Sequence, residues 1–336
     1  MIREYLKLAR SYNAVLTGIS PVMGAISMGQ FNLLLLLLLF LVGFFGHTYG
    51  FILNDIMDYK IDKTSKVMSK RPLISGTISV KRAWSLAIIS LVGSFLIAFY
   101  IGYRFQCYFP IVILIISAMF ITVYDLVSKR FPFMDIFVVL GIFFLILYGA
   151  ISSVGEINQI TRLAWIVCTL GSIQTLFMQV IAGGLKDVEN DLLSGGKTGA
   201  IYLGVRIVDG KLAVPFNFKS IAYGIQIVDL ILVFLPFFIV WDIYNLSILQ
   251  YFQWVIIILI GCIMFLITYK LLLNKKFDRG RITSLIGTHY VVNFTIVPIM
   301  LMTLNPWAGL LLFFPGLGFI LSNLTLHGTI LQPKTM

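Results

Sequence analysis

Long apolar stretches separated by short polar segments run through the whole chain. Ten of them are long enough to cross a bilayer as a helix, which takes about 20 predominantly apolar residues. They are residues 13–29, 33–53, 83–102, 109–127, 134–153, 163–184, 221–241, 251–273, 284–304 and 307–326. Only Asn305 and Pro306 separate the last two, which are therefore two spans or one span followed by a surface or re-entrant helix. Backbone groups that face lipid must bond within their own segment. The pattern predicts an all-α polytopic membrane protein with nine, or ten, transmembrane helices.

The composition agrees with this class. Of the 336 residues, 59% are hydrophobic and 12% are charged, whereas soluble domains have about 45–50% and about 25%. These values exclude a soluble enzyme, a disordered regulator and a secreted disulfide scaffold. The three cysteines, Cys107, Cys168 and Cys262, lack the spacing of a disulfide framework or a zinc site. No Gly/Ser-rich linker divides the chain, so we expect residues 1–336 to form a single domain.

The net charge of +11 has an uneven distribution along the chain. When the N-terminus is placed inside, 22 of the 25 lysines and arginines fall in loops on that side. Cytoplasmic loops of membrane proteins carry such an excess of cations. We therefore predict a multi-pass protein of the cell membrane with its N-terminus in the cytoplasm. Because this topology explains the positive net charge, we expect no nucleic acid as a partner. The sequence also indicates no obligatory protein partner.

Six of the 14 acidic residues lie in two short windows. The first acid window, residues 54–62, reads Asn-Asp-Ile-Met-Asp-Tyr-Lys-Ile-Asp and ends the second span. Residues three and four apart share a helix face, so Asn54, Asp58 and Asp62 are predicted to form a stripe with Asp55 beside it. The second acid window, residues 186–191, ends the sixth span and places Asp187 and Asp191 four residues apart.

Both windows end even-numbered spans, so we predict that they face each other at the cytoplasmic membrane surface, where the active site is expected. Carboxylate and amide oxygens with access to phosphate oxygens are the ligands that Mg²⁺ prefers. The pattern predicts a site for Mg²⁺ and a diphosphate. The predicted metal ligands are Asn54, Asp55, Asp58, Asp62, Asp187 and Asp191.

These motifs resemble those of the UbiA-type intramembrane prenyltransferases. The first window matches the signature N-D-x-x-D-x-x-x-D, and Asp187 and Asp191 match the second signature, D-x-x-x-D. Residues 71–79 are similar to the family's stretch R-P-L-x-S-G-x-I-S. Residues 124–130, which begin with Tyr124 and include Lys129, are similar to a family segment that runs from a tyrosine to a lysine. The resemblance extends from Arg10 to about residue 205. Beyond that residue only hydropathy agrees. We expect a cytoplasmic connecting segment at about 186–220, followed by the C-terminal helices at 221–330.

The resemblance implies a helical bundle around a central cavity that opens laterally to lipid. It implies transfer of an isoprenoid group from an allylic prenyl diphosphate to a lipophilic acceptor, with Mg²⁺ as cofactor. Asp58, Asp187, Lys129 and Tyr124 are the implied catalytic residues, and Tyr124 is expected to contact the diphosphate or the allylic cation. The implied diphosphate ligands are Arg10, Arg71, Lys129, Lys186 and Lys197.

Several alternatives stay open at this point. The acceptor is an aromatic precursor of quinones or haem, or the glycerol backbone of an ether lipid. A related enzyme would use the same diphosphate site for phosphoribosyl transfer to a lipid phosphate or for prenyl cyclisation. A transporter would be expected to place its acids near the bilayer midplane on broken helices, whereas both windows lie at helix ends.

Two features depart from the family pattern. Leu192 stands where many members carry a basic residue, and residues 204–220 form an unusually long connection.

Overall fold

The fold is known from a computed structural model that describes residues 1–63, 67–128, 130–241, 244, 246–273 and 276–331. Its α-helices are α1 (Ile2–Leu8), α2 (Ser11–Ser27), α3 (Leu33–Met57), α4 (Tyr59–Asp62), α5 (Val80–Arg104), α6 (Phe109–Val127), α7 (Asp135–Val154), α8 (Arg162–Leu176), α9 (Gly184–Ser194), α10 (Gly199–Tyr202), α11 (Phe216–Ile239), α12 (Ile248–Leu272), α13 (Arg279–Leu301) and α14 (Ile320–His327). Short 3₁₀ helices cover Val67–Lys70, Ile157–Gln159 and Pro306–Leu312. π-Helices cover Phe177–Gly183 and Phe314–Phe319. One antiparallel hairpin joins β1 (Arg206–Val208) to β2 (Lys211–Ala213).

Nine helices or continuous helical runs within the described ranges are long and apolar enough to cross a bilayer. The predicted all-α, multi-pass architecture is thereby confirmed. The sixth predicted span is longer than expected, because α8, a π-helix and α9 form one run of 33 residues, Arg162–Ser194. The second acid window therefore continues a membrane helix. In addition to these nine, the 17-residue helix α2 is buried along most of its length.

Polar N-caps explain where several spans begin. The side chains of Asn32, Ser79, Thr161 and Ser247 each accept a hydrogen bond from a backbone N–H in the first turn of α3, α5, α8 and α12, respectively. The first backbone N–H groups of a helix have no partner within the helix, so such caps stabilise its start. Each of these caps precedes an apolar stretch that the hydropathy pattern had located.

Helix α2 packs closely against α7 through the C-terminal halves of the two helices. The contact is between backbones: a Cβ added to Gly149 would collide with the Pro21 carbonyl, and one added to Gly24 would collide with the Ile146 carbonyl. Glycines at helix contacts in membranes permit such close approach.

Gly149→Ala is therefore expected to destabilise the protein by about 1–3 kcal/mol, because the added methyl group forces α2 and α7 apart. Thermal unfolding in detergent measures this effect. The matched control is Gly224→Ala in α11, where a Cβ meets nothing within 4 Å, and it should cause no loss. An unchanged midpoint for Gly149→Ala would contradict the close contact.

The long connection at residues 204–220 forms a small cap on α9. Asp209 and Gly210 turn the hairpin with positive φ angles of 51° and 71°, as in the two-residue turns that suit hairpins. The backbone of Lys211 forms an isolated antiparallel β-bridge with that of Lys276, and the Phe277 N–H donates to the Gly210 carbonyl at 3.0 Å. The buried side chains of the cap join the apolar cluster of α9. The connection therefore supports the helix that carries the second acid window.

The C-terminal segment Pro306–His327 is an irregular helix that passes from 3₁₀ through π to α conformation. It lies against α2 and α13. At its end, Nε and Nη2 of Arg3 donate to the Leu326 carbonyl at 3.2 and 2.9 Å.

Candidate active site

A cavity of about 320 Å³ lies in the centre of the bundle. Its wall is formed by residues of α2, α3, α5, α6, α7, the α8–α9 run and α13. Apolar side chains such as Met23, Leu114 and Val167 line the part remote from the acid windows. The acid windows line the other end. The cavity therefore has one charged end and one apolar end.

The first acid window keeps the predicted stripe across a junction of two helices, since the Asp58 N–H donates to the Asn54 carbonyl and the Asp62 N–H to the Asp58 carbonyl, both at 2.9 Å. Helix α3 ends at Met57, Asp58 is its C-cap, and α4 begins at Tyr59. Asn54, Asp58 and Asp62 line the cavity, whereas Asp55 is buried outside its wall. Three of the four predicted ligands of this window thus face one space.

Two arginines hold the carboxylate of Asp55. Nη2 of Arg10 lies 2.8 Å from Oδ1 of Asp55, and Nη1 of Arg71 lies 3.3 Å from the same atom. Nη1 of Arg71 also lies 2.5 Å from Oδ2 of Asp62. Burial is the largest single influence on the pKa of the Arg10 guanidinium and lowers it, but Asp55, Tyr12 and Asp62 together outweigh burial and raise the pKa above its usual value. Both arginines line the cavity, so Asp55 fixes two cations at its charged end.

The second acid window projects into the cavity from α9. Lys186, Asp187, Asn190 and Asp191 all line it. Nζ of Lys186 lies 3.4 Å from Oδ2 of Asp187. Nη2 of Arg279 lies 2.8 Å from Oδ1 of Asp187, and Nη1 of Arg279 donates to the Lys186 carbonyl at 2.8 Å. Arg279 therefore clamps this window to the start of α13.

The end of α6 orients one amide of the first window. Nδ2 of Asn54 donates to Oδ1 of Asp125 at 3.3 Å. This contact directs the NH₂ group of Asn54 towards Asp125. The amide oxygen of Asn54 is then left for a cation. The neighbouring Tyr124 lines the same cavity.

The structure brings most of the predicted site residues together. Those that line the cavity are Asn54, Asp58, Asp62, Asp187, Asp191, Arg10, Arg71, Lys186 and Tyr124. Asp55 lies behind the wall, and Lys197 is exposed outside it. Lys129 lies outside the described residues.

Three further residues were not predicted as site residues. Asn190 could have been found from its spacing of three from Asp187, and Asp125 from its adjacency to Tyr124. Arg279 had no local signal, because 92 residues separate it from Asp187.

The donor set at the charged end fits Mg²⁺ by its chemistry. Asn54, Asp58 and Asp62 line the cavity from one window, and Asp187, Asn190 and Asp191 line it from the other, so carboxylate and amide groups come together there. Within the described residues, no three His, Cys, Asp or Glu side chains form a group that could hold a metal ion by themselves. Mg²⁺ is commonly bound by one or two carboxylates together with substrate phosphates and water.

Known proteins resemble this chain in sequence over about two thirds of its length. The digeranylgeranylglyceryl phosphate synthase of Thermococcus kodakarensis is 30% identical over 232 residues, which cover 66% of this chain and 79% of that protein. The synthase of Sulfurisphaera tokodaii is 27% identical over 256 residues, covering 69% and 86%.

Solved structures share the fold. A UbiA homolog from Archaeoglobus fulgidus bound to GPP and Mg²⁺ has a TM-score of 0.62 at 18% identity, covering 94% of this chain and 99% of that one. The apo UbiA homolog from Aeropyrum pernix K1 has a TM-score of 0.64 at 16% identity, covering 86% and 96%. Residues 14–285 match the profile of the UbiA prenyltransferase family. With both acid windows on one cavity inside a matching fold, the chain belongs to the UbiA prenyltransferase family.

Proposed function

We propose that this prenyltransferase moves an isoprenoid group from an allylic prenyl diphosphate to the free hydroxyl of a glycerol-phosphate ether lipid, in an Mg²⁺-dependent reaction. We also propose that the charged end of its cavity faces the cytoplasm. The relatives named digeranylgeranylglyceryl phosphate synthase support this acceptor over an aromatic one.

One observation carries the proposal. The cavity joins oxygen donors and the cations Arg10, Arg71 and Lys186 at one end to an apolar space at the other. A prenyl diphosphate has the complementary shape and charge, because its anionic head is joined directly to an apolar chain.

The residues of the site divide the chemistry between them. Bound Mg²⁺ would supply charge neutralisation for the diphosphate, and Asn54, Asp58, Asp62, Asp187 and Asp191 would hold it. Arg10 and Arg71 lie on the same cavity wall, where they contact diphosphate oxygens and stabilise the charge that develops there.

In the reaction, the bond between C1 of the prenyl chain and its diphosphate oxygen breaks, and the electron pair leaves with the diphosphate. The acceptor oxygen forms a bond to C1, and its proton passes to the released diphosphate. The Tyr124 ring lies in the cavity wall, where it stabilises positive charge on the allylic group. The apolar wall excludes water, which would otherwise capture the cation.

We expect purified protein in lipid vesicles to form the prenylated lipid and diphosphate when given geranylgeranyl diphosphate, a glycerol-phosphate ether lipid and Mg²⁺. EDTA should abolish turnover, and renewed Mg²⁺ should restore it. Mass spectrometry of the product and a diphosphate assay measure the two products separately. An aromatic acceptor serves as the control substrate. Turnover of that acceptor alone would contradict the ether-lipid assignment, and turnover in EDTA would contradict the role of Mg²⁺.

A further inference from the structure

Arg10 lies at the junction of α1 and α2 in a backbone conformation that arginine rarely adopts. Its φ and ψ angles are 45° and 48°, in the left-handed region where a Cβ crowds the following carbonyl oxygen. Such a conformation persists only where the surrounding contacts hold it. The side chain is constrained as well, since the residue is 7% exposed and lines the cavity. The neighbouring elements must therefore supply groups that keep Arg10 in place.

Three residues of α3 contact Arg10, and they are spaced four apart: His47, Phe51 and Asp55. Residues at this spacing lie on the same face of a helix. Oδ1 of Asp55 accepts a hydrogen bond from Nη2 of Arg10 at 2.8 Å. The ring of Phe51 lies against the guanidinium group, with Cζ of Arg10 4.7 Å from the ring centroid. We call His47, Phe51 and Asp55 the Arg10 support.

His47 fixes the ring of Phe51. The centroids of the two rings are 4.2 Å apart and the ring planes are inclined by 30°, an arrangement that favours mutual packing. Nδ1 of His47 lies 2.7 Å from Oγ1 of Thr17 in α2, so a hydrogen bond ties the imidazole ring to the helix that Arg10 precedes. The His47 ring also lies beside the Arg10 backbone. The support therefore holds both the side chain and the backbone of Arg10.

The contacts of the support leave a hydrogen-bond donor of Arg10 for a ligand. Asp55 accepts from Nη2, whereas Nε is buried and has no hydrogen-bond partner among the described residues. The Phe51 ring lies over Cζ, against the face of the guanidinium group, and the N–H donors of that group lie in its plane. A buried donor without a partner costs stability, and a bound anion would remove this cost.

We propose that Phe51 and His47 are positioning residues for diphosphate binding, because they hold Arg10 in its left-handed conformation with Nε available to a diphosphate oxygen. This inference rests on the proposed function, since it takes Arg10 as a ligand of the diphosphate. Phe51 and His47 also line the cavity, where a direct contact with the prenyl chain is the competing role. Inorganic diphosphate has no such chain, so its binding separates the two roles.

Isothermal titration of the purified protein with inorganic diphosphate and Mg²⁺ tests the proposal. Phe51→Leu should weaken binding by about three- to tenfold, which corresponds to the loss of one partly desolvated cation–π contact. Phe51→Tyr should restore the affinity, because the tyrosine ring keeps that contact. In an Arg10→Met background, Phe51→Leu should cause no further loss, since residues that act through one contact are not additive. The matched control is Phe44→Leu, on the same helix but outside the cavity wall, and it should leave binding unchanged.

Wild-type affinity for diphosphate in Phe51→Leu would overturn the proposal, and so would an equal loss with and without the Arg10 side chain. A second measurement needs neither diphosphate nor a folded Phe51 variant. Phenylglyoxal should modify Arg10 about threefold faster or more in His47→Leu than in the wild type, because a loosened residue opens more often. Mass spectrometry of the peptide that contains Arg10 gives the rate, and an unchanged rate would likewise overturn the proposal. If the modification rate rises as expected but the wild-type protein binds no diphosphate, then the proposed function fails and the support of Arg10 stands.

Discussion

Asp187→Asn is expected to lower the rate of prenyl transfer by about 100- to 1000-fold, the usual cost of removing one electrostatic element from a preorganised site. Asp187 lines the cavity, and Arg279 and Lys186 hold its two carboxylate oxygens in place. The substitution keeps the shape of the side chain and removes its charge. Asp58→Asn, in the opposite window, should have a similar effect. Turnover at saturating prenyl diphosphate across a range of Mg²⁺ concentrations measures both.

Asp209→Asn is the matched control, since Asp209 is an exposed residue in the turn of the hairpin. It should leave the rate unchanged. Asp187→Asn and Asp58→Asn variants that both fold and turn over at the wild-type rate would rule out the assignment of the two acid windows as the catalytic site.

Arg71→Met is expected to destabilise the protein by about 3–5 kcal/mol, because removing one partner of a buried ion pair leaves the other charge uncompensated. Arg71 contacts both Asp55 and Asp62, and all three side chains are buried. Adding Asp62→Asn should recover part of the loss, since it removes one of the uncompensated carboxylates. Tryptophan fluorescence during unfolding in detergent provides the measurement.

The exposed Arg82 in the first turn of α5 offers a control of the same residue type. Arg82→Met should change stability by no more than about 0.5 kcal/mol. Equal stability of the two variants would show that the cluster of Arg71, Asp55 and Asp62 contributes little to folding.

Much of the fold follows from hydropathy alone. The predicted span at 109–127 coincides with α6, because lipid demands a continuous apolar helix and polar residues mark its ends. The two acid windows were expected at the same end of the bundle. Successive spans cross the membrane in opposite directions, so the ends of the second and sixth spans lie on the same side. The structure agrees in that residues of both windows line one cavity.

The details that depend on contacts between distant residues could not be read from the sequence. The spacing placed Asp55 beside the stripe, but it could not show that Asp55 binds Arg10 and Arg71 and does not line the cavity, because these partners lie 45 and 16 residues away. No spacing rule links Arg279 to Asp187, because the two come together only when α13 packs beside α9.

The π-helix Phe177–Gly183 has a consequence for the phase of the sixth span. Gly171 and Asp191 both line the cavity, although they are 20 residues apart. At about 100° per residue, a regular α-helix would place them on nearly opposite faces. The wider π turns unwind the helix between them, so that the apolar wall and the acidic ligands share one side. A helical wheel drawn with a single period would assign one of these two residues to the wrong environment. A one-residue deletion in α9 before Asp187 would rotate the side chains of Asp187 and Asp191 by about 100° about the helix axis. A deletion within the π-helix could instead be accommodated by a return to regular α-helix.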